Sequence, residues 1–476
     1  MKRATRPNVI LIMCDQWRHD CAGFAGHAAV QTPHLDRLAA RGVVFDNAYC
    51  ASPLCVPARA SWLTGLYPHA HGQLRNCKGN RTNAPGSVMR PECRPIGDVL
   101  SACGYRCGIV GPRHLGTDDV PQHGFEKFWC TCRHRSDPPD RLGAYFQSQS
   151  VIDLHQRGAP GVIDEGLKLR YGIIDDPRQQ RTTGTVDRGL EFIAEPGKRP
   201  FFLFLSVKDP PPPMLVPPEL LGLYPPQNLK LPASWADPLE GKPSYQHDAP
   251  GRIAASIDAS TFQRIMAHYY AVLIHIDEQL GRLFDALRDG RIERDTIVVF
   301  VSDHGEMLGD HGFEAKTVMY ESAVRVPLVI CCPDVLPGGF LVGAPLGGGD
   351  LFPTLLELAD VPFETEIDGH SVTKALAEGH QPEPRPILAE ICTGSGGRDK
   401  SDDEIDLAAR VMLIDEWLKP VHSRDDEDEL YDLANDPDEM VNLASDPKRQ
   451  NARRRLQSRI ADILRRAGPG LYEWCA

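Results

Sequence analysis

The chain has 476 residues, of which 42% are hydrophobic and 25% are charged, a composition typical of a globular protein with a sizeable core. Its formal net charge is -13, from 52 Lys and Arg against 65 Asp and Glu. That balance argues against a nucleic-acid or anionic-membrane partner, although a small anionic substrate needs only a local basic pocket. No apolar run approaches the roughly 20 residues of a membrane span.

The N-terminal segment is basic from Met1 to Pro7 and apolar from Val9 to Met13, an order that resembles the start of a signal peptide. A secretory apolar region needs about 7–15 residues, and this stretch is shorter. We therefore predict a buried first strand at Asn8–Met13 and a cytoplasmic protein.

Strand and helix patterns alternate between residues 8 and 360. Short apolar stretches predict strands, and apolar residues at three- and four-residue steps predict helices. The predicted elements in chain order are strand Asn8–Met13, helix Pro33–Arg41, strand Val43–Ala48, helix Ile96–Cys103, strands Arg106–Val110 and Pro200–Val207, helix Ile265–Leu287, strands Thr296–Val301 and Val326–Cys331, and helix Leu351–Ala359. Residues 133–185 are polar, and we expect them to form an irregular excursion over the active-site side.

The alternation predicts an α/β fold with a large, mostly parallel sheet sandwiched by helices. Near residue 380 the composition changes to Pro-rich and Gly-rich stretches, the acidic run Asp425–Glu429 and a basic helix at Arg453–Arg466. We therefore predict a catalytic domain over residues 1–378 and a smaller α+β domain over residues 379–476. Such sheets bind ligands beyond the carboxyl ends of their strands. Asp15 and Asp303 each follow a predicted strand there.

The 14 cysteines are spread through a long chain, so a disulfide framework is not expected. One group with nearby histidines leaves a zinc site open as an alternative to buried thiols, although its spacings match no paired C-x-x-C motif. That group consists of Cys103, Cys107, Cys130, Cys132, His123 and His134.

Cys55 stands apart because it opens the string C-x-P-x-R, which is followed by A-S-x-L-T-G. Arg59 lies four residues on, at a predicted helix start. A cation one turn away and the positive end of a helix would both lower the pKa of the thiol, which indicates an activated thiolate. A buried thiol in a tight turn is the alternative interpretation.

The segment Leu54–Gly65 (LCVPARASWLTG) resembles the signature of the type I sulfatases of the alkaline-phosphatase superfamily. Further blocks resemble the same family in the same order, so the likeness extends along nearly the whole chain. These blocks are Val9–Gly72, Asp277–Gly312 (which contains SDHGEMLGDHG), Met319–Ile330, Asp350–Leu358 and Glu429–Leu443.

The resemblance implies a sulfuric ester hydrolase that cleaves a small aryl or carbohydrate sulfate. In that family a maturing enzyme converts the cysteine at this position to formylglycine. One hydroxyl of the hydrated aldehyde attacks sulfur and the other expels the sulfate. The family's ligands of a divalent cation correspond to Asp15, Gln16, Cys55, Asp303 and His304. Their oxygen donors suit Ca²⁺ foremost, or Mg²⁺, and the imidazole also suits Mn²⁺.

The same motifs imply further roles. Arg59 would hold the hydrated aldehyde, Lys316 would bind the sulfate or the leaving oxygen, and His114 would hydrogen-bond the formylglycine. A solvated lysine and a structural histidine are the alternatives for the last two. His69 and His71 are expected to support the site from behind its ligands.

Two positions depart from the family pattern. Pro112 replaces the active-site lysine of G-K-W-H-L-G, and a proline that we place at Pro211 replaces a histidine after the long apolar strand. Proline offers neither charge nor a donor. Arg113 and Lys208 are the adjacent candidates to bind the substrate anion instead, and His155 is a candidate acid.

Three functions therefore stay open. The first is a sulfatase, the second a phosphonate or phosphodiester monoester hydrolase of the same superfamily, and the third a degenerate homologue that binds without turnover. The intact nucleophile and ligand positions favour an enzyme, and the two prolines favour a changed or inactive site. The sequence indicates neither the natural substrate nor the oligomeric state.

Overall fold

The computed structural model describes residues 6–76, 86–115, 122–129, 162–165, 169–247, 249, 251–394 and 407–465. The strands are β1 Asn8–Cys14, β2 Val43–Tyr49, β3 Arg106–Val110, β4 Lys127–Trp129, β5 Val162–Asp164, β6 Arg170–Ile173, β7 Phe201–Val207, β8 Met214–Val216, β9 Thr296–Ser302, β10 Arg325–Cys331, β11 Phe340–Val342, β12 Leu346–Gly347, β13 Ile387–Gly394, β14 Leu407–Ile414, β15 Leu418–Ser423 and β16 Glu429–Asp432. The α-helices are α1 Pro33–Arg41, α2 Cys55–Thr64, α3 Pro68–His71, α4 Ile96–Ala102, α5 Arg181–Ala194, α6 Pro218–Leu221, α7 Ser244–His247, α8 Ala259–Asp289, α9 Glu321–Val324, α10 Leu351–Leu358, α11 Thr373–Ala377 and α12 Gln450–Leu464. Within these ranges, no helix has the length and apolar character needed to cross a membrane.

The central sheet of the described chain has the strand order β11-β2-β10-β9-β1-β7-β3-β4, with β12 also paired to β2. β1 lies between β7 and β9 and is parallel to both. β10 runs antiparallel to β9 and to β2. The predicted large, mostly parallel sheet is confirmed. The reversed direction of β10 could not be predicted, because a buried apolar run has the same pattern in either direction.

Alternate residues of β1 enter two hydrophobic clusters on opposite faces of the sheet. Leu11 and Met13 join a cluster with residues of α2, α4 and α10, which we call the main core. Ile10 and Ile12 join another cluster with residues of α1, α5 and α8. Because successive side chains of a strand point to opposite faces, helices cover the sheet on both sides. The predicted sandwich is therefore confirmed.

The expectation of an irregular excursion over residues 133–185 is wrong for its C-terminal part. There β6 pairs with β5 and β8, and α5 begins at Arg181. The side chain of Gln180 caps the start of α5 by accepting from the amide of Arg181 at 3.1 Å. Because the first turn of this helix is polar, the spacing of apolar residues did not predict where it begins. Residues 133–161 and 166–168 lie outside the described residues.

A smaller antiparallel sheet with the order β13-β14-β15-β16 follows the main one, as predicted for the C-terminal part. Along β13, Ile387, Ala389 and Ile391 pack into the main core. Leu388, on the other face, packs in a third cluster with residues of α12 such as Leu456. One strand thus joins both parts of the molecule. The domain boundary between residues 378 and 379 stays a prediction.

Candidate active site

Two neighbouring parallel strands carry carboxylates to the same edge of the sheet. β1 ends at Cys14 and β9 ends at Ser302, and these two residues are partners in the register. Asp15 and Asp303 follow directly, and the Asp303 amide donates to the Cys14 carbonyl at 3.0 Å. Both aspartates are almost completely buried. The strand pairing therefore places two carboxylates side by side at the carboxyl edge.

Cys55 is the first residue of α2 and lies at this edge. Its Sγ is 3.7 Å from Asp15 Oδ1 and 3.2 Å from His304 Nε2. Farther along α2, Trp62 Nε1 donates to the carbonyl of Asp303 at 3.3 Å and fixes the helix to the end of β9. Ligand atoms of Asp15, Cys55, Asp303 and His304 all lie within 4.8 Å of one another. These four buried residues form what we call the ligand cluster.

The orientation of His304 is set by the backbone. Its Nδ1 donates to the carbonyl of Gly305 at 2.9 Å, so in the neutral ring Nε2 keeps its lone pair toward Cys55. Gly305 donates in turn to the carbonyl of Ala323 at 2.9 Å. A Cβ atom at position 305 would come within 2.0 Å of the carbonyl oxygen of Ser322. The loop after β9 is therefore held by close backbone contact.

Arg59 is fully buried and connects the ligand cluster to two other elements. Its Nε donates to Asp303 Oδ2 at 2.8 Å, and an Nη atom lies 3.5 Å from Asp15 Oδ2. The other Nη donates to the carbonyl of Pro112 at 2.9 Å and to Ser206 Oγ at 2.5 Å. Pro112 thus contributes a backbone acceptor at the position where a lysine was expected. The role of Ser206 was missed, and its place near the end of β7, next to β1, is the signal that could have found it.

Two lysines flank Asp15. Lys316 Nζ donates to Gln16 Oε1 at 2.6 Å and lies 3.5 Å from Cys55 Sγ and 3.9 Å from Asp15 Oδ1. Lys208 Nζ lies 3.4 Å from the other oxygen, Asp15 Oδ2. The structure therefore brings both predicted lysines to the ligand cluster, and their proposed roles toward a substrate stay predictions.

Glu306 is a site residue that the sequence prediction missed. Its carboxylate accepts from Gln16 Nε2 and from the amides of Leu308, at 2.9 Å, and Ala315, at 2.6 Å. Because Glu306 holds the amide nitrogen of Gln16, the amide oxygen is left to accept from Lys316, which also contacts Cys55 Sγ. Its place two residues after His304, in the string D-H-G-E, is the only sequence signal for it.

The surrounding cations control the ionisation of the buried groups. Burial opposes ionisation of Asp15, yet the two lysines and Arg59 hold the pKa of that carboxyl well below its ordinary value. Burial and Asp15 also oppose ionisation of Cys55, but Lys316 and His304 lower the pKa of the thiol overall. Lys316 and His304 are thus the positive groups in contact with the sulfur. Arg59, which we had expected to activate the thiol, is engaged by the carboxylates.

The candidate residues after β3 differ in their surroundings. Burial, together with Arg59 and Lys208, holds the pKa of His114 well below its ordinary value, so a neutral imidazole adjoins the site. Arg113 is fully buried, its guanidinium lies 5.2 Å from the centre of the Phe128 ring, and an Nη lies 3.5 Å from a side-chain oxygen of residue 122. Two contacts of Arg113 are therefore with structural neighbours, and substrate binding by it stays a prediction.

His69 and His71 contact residues outside the ligand cluster. His69 Nδ1 pairs with the buried carboxylate of Glu390 on β13. His71 Nε2 lies 3.0 Å from Ser61 Oγ on α2. Both histidines therefore support the helix and sheet around the site.

The alternative zinc site lies only partly within the described residues. Cys103 and Cys107 are free thiols there, whereas Cys130, Cys132 and His134, like the candidate acid His155, lie outside. In the described part of the chain, the ligand cluster is the one group of at least three His, Cys, Asp or Glu residues with metal-ligand spacing.

Comparison with known proteins gives a consistent result. Residues 7–361 match the Sulfatase family model. An arylsulfatase of Clostridium perfringens (strain 13 / Type A) is 29% identical over 400 residues, which are 78% of this chain and 79% of that protein. The phosphonate monoester hydrolase of Agrobacterium radiobacter superposes with a TM-score of 0.81 at 25% identity, covering 97% of this chain and 96% of that chain. The phosphonate monoester hydrolase of Silicibacter pomeroyi gives a TM-score of 0.77 at 25% identity with the same coverage.

The mostly parallel sheet, with a candidate nucleophile and two carboxylates at its strand ends, defines a hydrolase of the alkaline-phosphatase superfamily. The chain belongs to the sulfatase family and is an enzyme of that family, as its motifs predicted.

Proposed function

We propose that this enzyme hydrolyses a small sulfate monoester of an aryl or carbohydrate alcohol, with residue 55 converted to formylglycine and with one bound divalent cation. The observation that carries the proposal is the convergence of Asp15, Cys55, Asp303 and His304 within 4.8 Å. The substrate is a small anion rather than a nucleic acid or a membrane, in keeping with the acidic net charge of -13. The remaining partner is the enzyme that oxidises Cys55.

The donor set fits a divalent cation. Asp15 and Asp303 supply carboxylate oxygens, His304 presents Nε2, and Gln16, whose amide nitrogen is held by Glu306, would supply its amide oxygen. Three oxygen donors suit Ca²⁺ first, with Mg²⁺ or Mn²⁺ as the other options. When bound, the cation would acidify the attacking hydroxyl of the formylglycine hydrate and neutralise sulfate oxygens.

The other residues of the site would bind and orient the substrate. Lys316 and Lys208 approach Asp15 from its two oxygens, so their ammonium groups lie where an anionic sulfate would meet the cluster. Arg59 keeps both carboxylates in place, and the neutral imidazole of His114 would hydrogen-bond residue 55, as the resemblance of the motif around it implies. Preorganised donors of this kind stabilise the charge that develops on transferring oxygens.

A phosphonate monoester hydrolase is the second candidate function. The fold likeness to the Agrobacterium radiobacter enzyme, with a TM-score of 0.81, supports it. The prolines at 112 and 211 support it as well, because they remove two groups that the sulfatase pattern places on the substrate. The intact ligand cluster argues against the third possibility, a homologue without turnover.

Conversion of Cys55 is tested by mass spectrometry of the peptide that contains it, after co-expression with a formylglycine-generating enzyme. We expect the mass of an aldehyde at residue 55, and none in the chain expressed alone. A cysteine that stays unmodified under co-expression would contradict the proposed nucleophile.

Turnover of nitrophenyl sulfate against a phenyl phosphonate monoester separates the candidate functions. We expect the converted enzyme to prefer the sulfate, with the activity lost in Cys55→Ala and on removal of the cation by a chelator. Preference for the phosphonate would establish the second candidate. Equal rates for wild type and Cys55→Ala would show that residue 55 does not turn over these substrates. That result would support the third possibility, a homologue that binds without turnover.

A further inference from the structure

While residue 55 is still a cysteine, the ligand cluster offers a metal ion a different set of ligand atoms. In that state its ligand atoms are one sulfur, one imidazole nitrogen and two carboxylate oxygens. Oxidation to formylglycine replaces the sulfur by oxygen and leaves the other three unchanged. The pocket therefore presents two different donor sets, depending on the chemical state of a single side chain.

The known separations between these atoms are close to those of a tetrahedral site. His304 Nε2 lies 3.2 Å from Cys55 Sγ, 3.5 Å from Asp303 Oδ1 and 3.8 Å from Asp15 Oδ1. Cys55 Sγ lies 3.7 Å from Asp15 Oδ1. With metal–ligand bonds of about 2.0–2.3 Å, neighbouring ligands of tetrahedral zinc lie roughly 3.3–3.8 Å apart. Four of the six ligand pairs thus have separations close to those of a zinc site, and all four ligand atoms lie within 4.8 Å of one another.

The supporting contacts hold two of the ligands in a metal-binding form. His304 Nδ1 donates to the Gly305 carbonyl, which directs Nε2 to the centre. The Arg59 guanidinium binds Oδ2 of Asp303 and thereby fixes that carboxylate. Lys316, 3.5 Å from the sulfur, is the cation that an entering metal would have to displace from it.

We propose that the unconverted chain binds a thiophilic divalent ion through Cys55, His304, Asp15 and Asp303. Zn²⁺ is the ion that we expect at this site. On binding, the S–H bond of Cys55 breaks, its proton passes to the buffer and a metal–sulfur bond forms. Thiolate and imidazole select zinc-like ions over Ca²⁺, whereas the oxygen donor set of the converted site suits Ca²⁺ or Mg²⁺. The state of residue 55 therefore decides which class of ion this pocket holds. The inference rests on the proposed function only in using the same four residues as ligands.

Cobalt titration of the full chain expressed without the maturing enzyme tests the proposal. We expect a sulfur-to-cobalt charge-transfer band and the visible bands of tetrahedral Co²⁺, both removed by one equivalent of Zn²⁺ but not by Ca²⁺. In Cys55→Ser the charge-transfer band should disappear, and the dissociation constant for Zn²⁺ should rise on the order of 100-fold. Cys331→Ser, which removes a buried thiol on β10, is the matched control and should keep the wild-type spectrum.

A second measurement covers the case in which Cys55→Ser does not fold. Zn²⁺ should protect Cys55 of the wild-type chain from alkylation, as read by peptide mass spectrometry, and Ca²⁺ should not. A Co²⁺ complex without the sulfur band, or alkylation of Cys55 at the same rate with and without Zn²⁺, would overturn the proposal. Neither readout uses turnover, so a failure here is distinct from a failure of the proposed sulfatase activity.

Discussion

Two of the buried groups of charges in the described residues are built differently. In the ligand cluster, four ligand atoms face one another, and Arg59 holds the far oxygen of Asp303. In the second group, which we call the Lys419 cluster, Lys419 Nζ lies 3.0 Å from Glu321 Oε1 and pairs with the carboxylate of Glu439. This cluster joins β15 to α9 and so connects the smaller sheet to the main one.

The difference between the two groups distinguishes a cluster that stabilises the fold from a cluster that can bind a ligand. The charges of the Lys419 cluster are in direct contact, and the Tyr49 hydroxyl and the amide of Glu321 bind the remaining carboxylate oxygens. The groups of such a cluster bind one another and so stabilise the packing between elements. In the ligand cluster, the ligand atoms of two carboxylates, a thiol and an imidazole lie within 4.8 Å of one another. Convergent donors, rather than buried charge as such, indicate the site.

The largest expected effect is that of Arg59→Met. This change leaves Asp15 and Asp303 buried side by side without their shared cation, so we expect the free energy of unfolding to fall by about 3–5 kcal/mol. Turnover should fall at least on the order of 10²-fold. Denaturant unfolding measures the change in stability, and turnover of a sulfate ester measures the change in activity. Arg199→Met, which removes an exposed ion pair with Glu126, is the control and should change neither. Wild-type stability in Arg59→Met would show that the carboxylates do not depend on Arg59.

Lys419→Met should destabilise the fold by a similar amount without touching the chemistry. Glu321 and Glu439 would stay buried without the cation that contacts them both, which costs about 3–5 kcal/mol of unfolding free energy. At a temperature where the variant is folded, its kcat should equal that of the wild type. A kcat that falls as far as in Arg59→Met would break the distinction between the two clusters.

Glu306→Ala should weaken binding of the divalent cation. The change releases the amide nitrogen of Gln16, so the orientation of this side chain is no longer fixed, and loss of such outer contacts costs about 10–100-fold in metal affinity. Calorimetric titration of Ca²⁺ into chelator-treated protein measures the change. Glu240→Ala, at an exposed carboxylate, serves as the control. An unchanged dissociation constant in Glu306→Ala would remove Gln16 from the ligand set.

The smallest effect is a pH dependence in the Lys419 cluster. Burial raises the pKa of Glu439 to about 7, against the opposing effect of Lys419. Because the folded state binds this proton more tightly, the stability it contributes is complete below the unfolded pKa and is lost as the pH rises through about 7. The slope is at most about 1.4 kcal/mol per pH unit. In Glu439→Gln, which does not titrate, that slope should be missing from the pH series of unfolding free energies. Identical slopes in both proteins would contradict the assignment.

The sequence predicted the parts of the site that depend on pattern and order. Apolar strands ended by Asp15 and Asp303 predicted where the carboxylates meet, and the string around Cys55 predicted the start of α2. Parallel neighbouring strands bring their carboxyl ends together, which is why residues almost 300 positions apart could be paired.

The parts that could not be predicted depend on three-dimensional contacts. The carbonyl of Pro112 binds Arg59, and a backbone carbonyl carries no mark in the sequence. Glu306 acts through Gln16, which is distant in the chain. Lys419 pairs with two glutamates from separate segments, and each of them alone has the pattern of an ordinary surface residue.

Position 305 limits how the metal centre can be redesigned. The neighbouring carbonyl of Ser322 leaves no space for even one methyl group there, and the same peptide segment sets the tautomer of His304. A library that varies the D-H-G-E string to change the preferred ion must therefore keep glycine at this position. Residues 303, 304 and 306, on either side of this glycine, are the positions where new ligand side chains can be introduced.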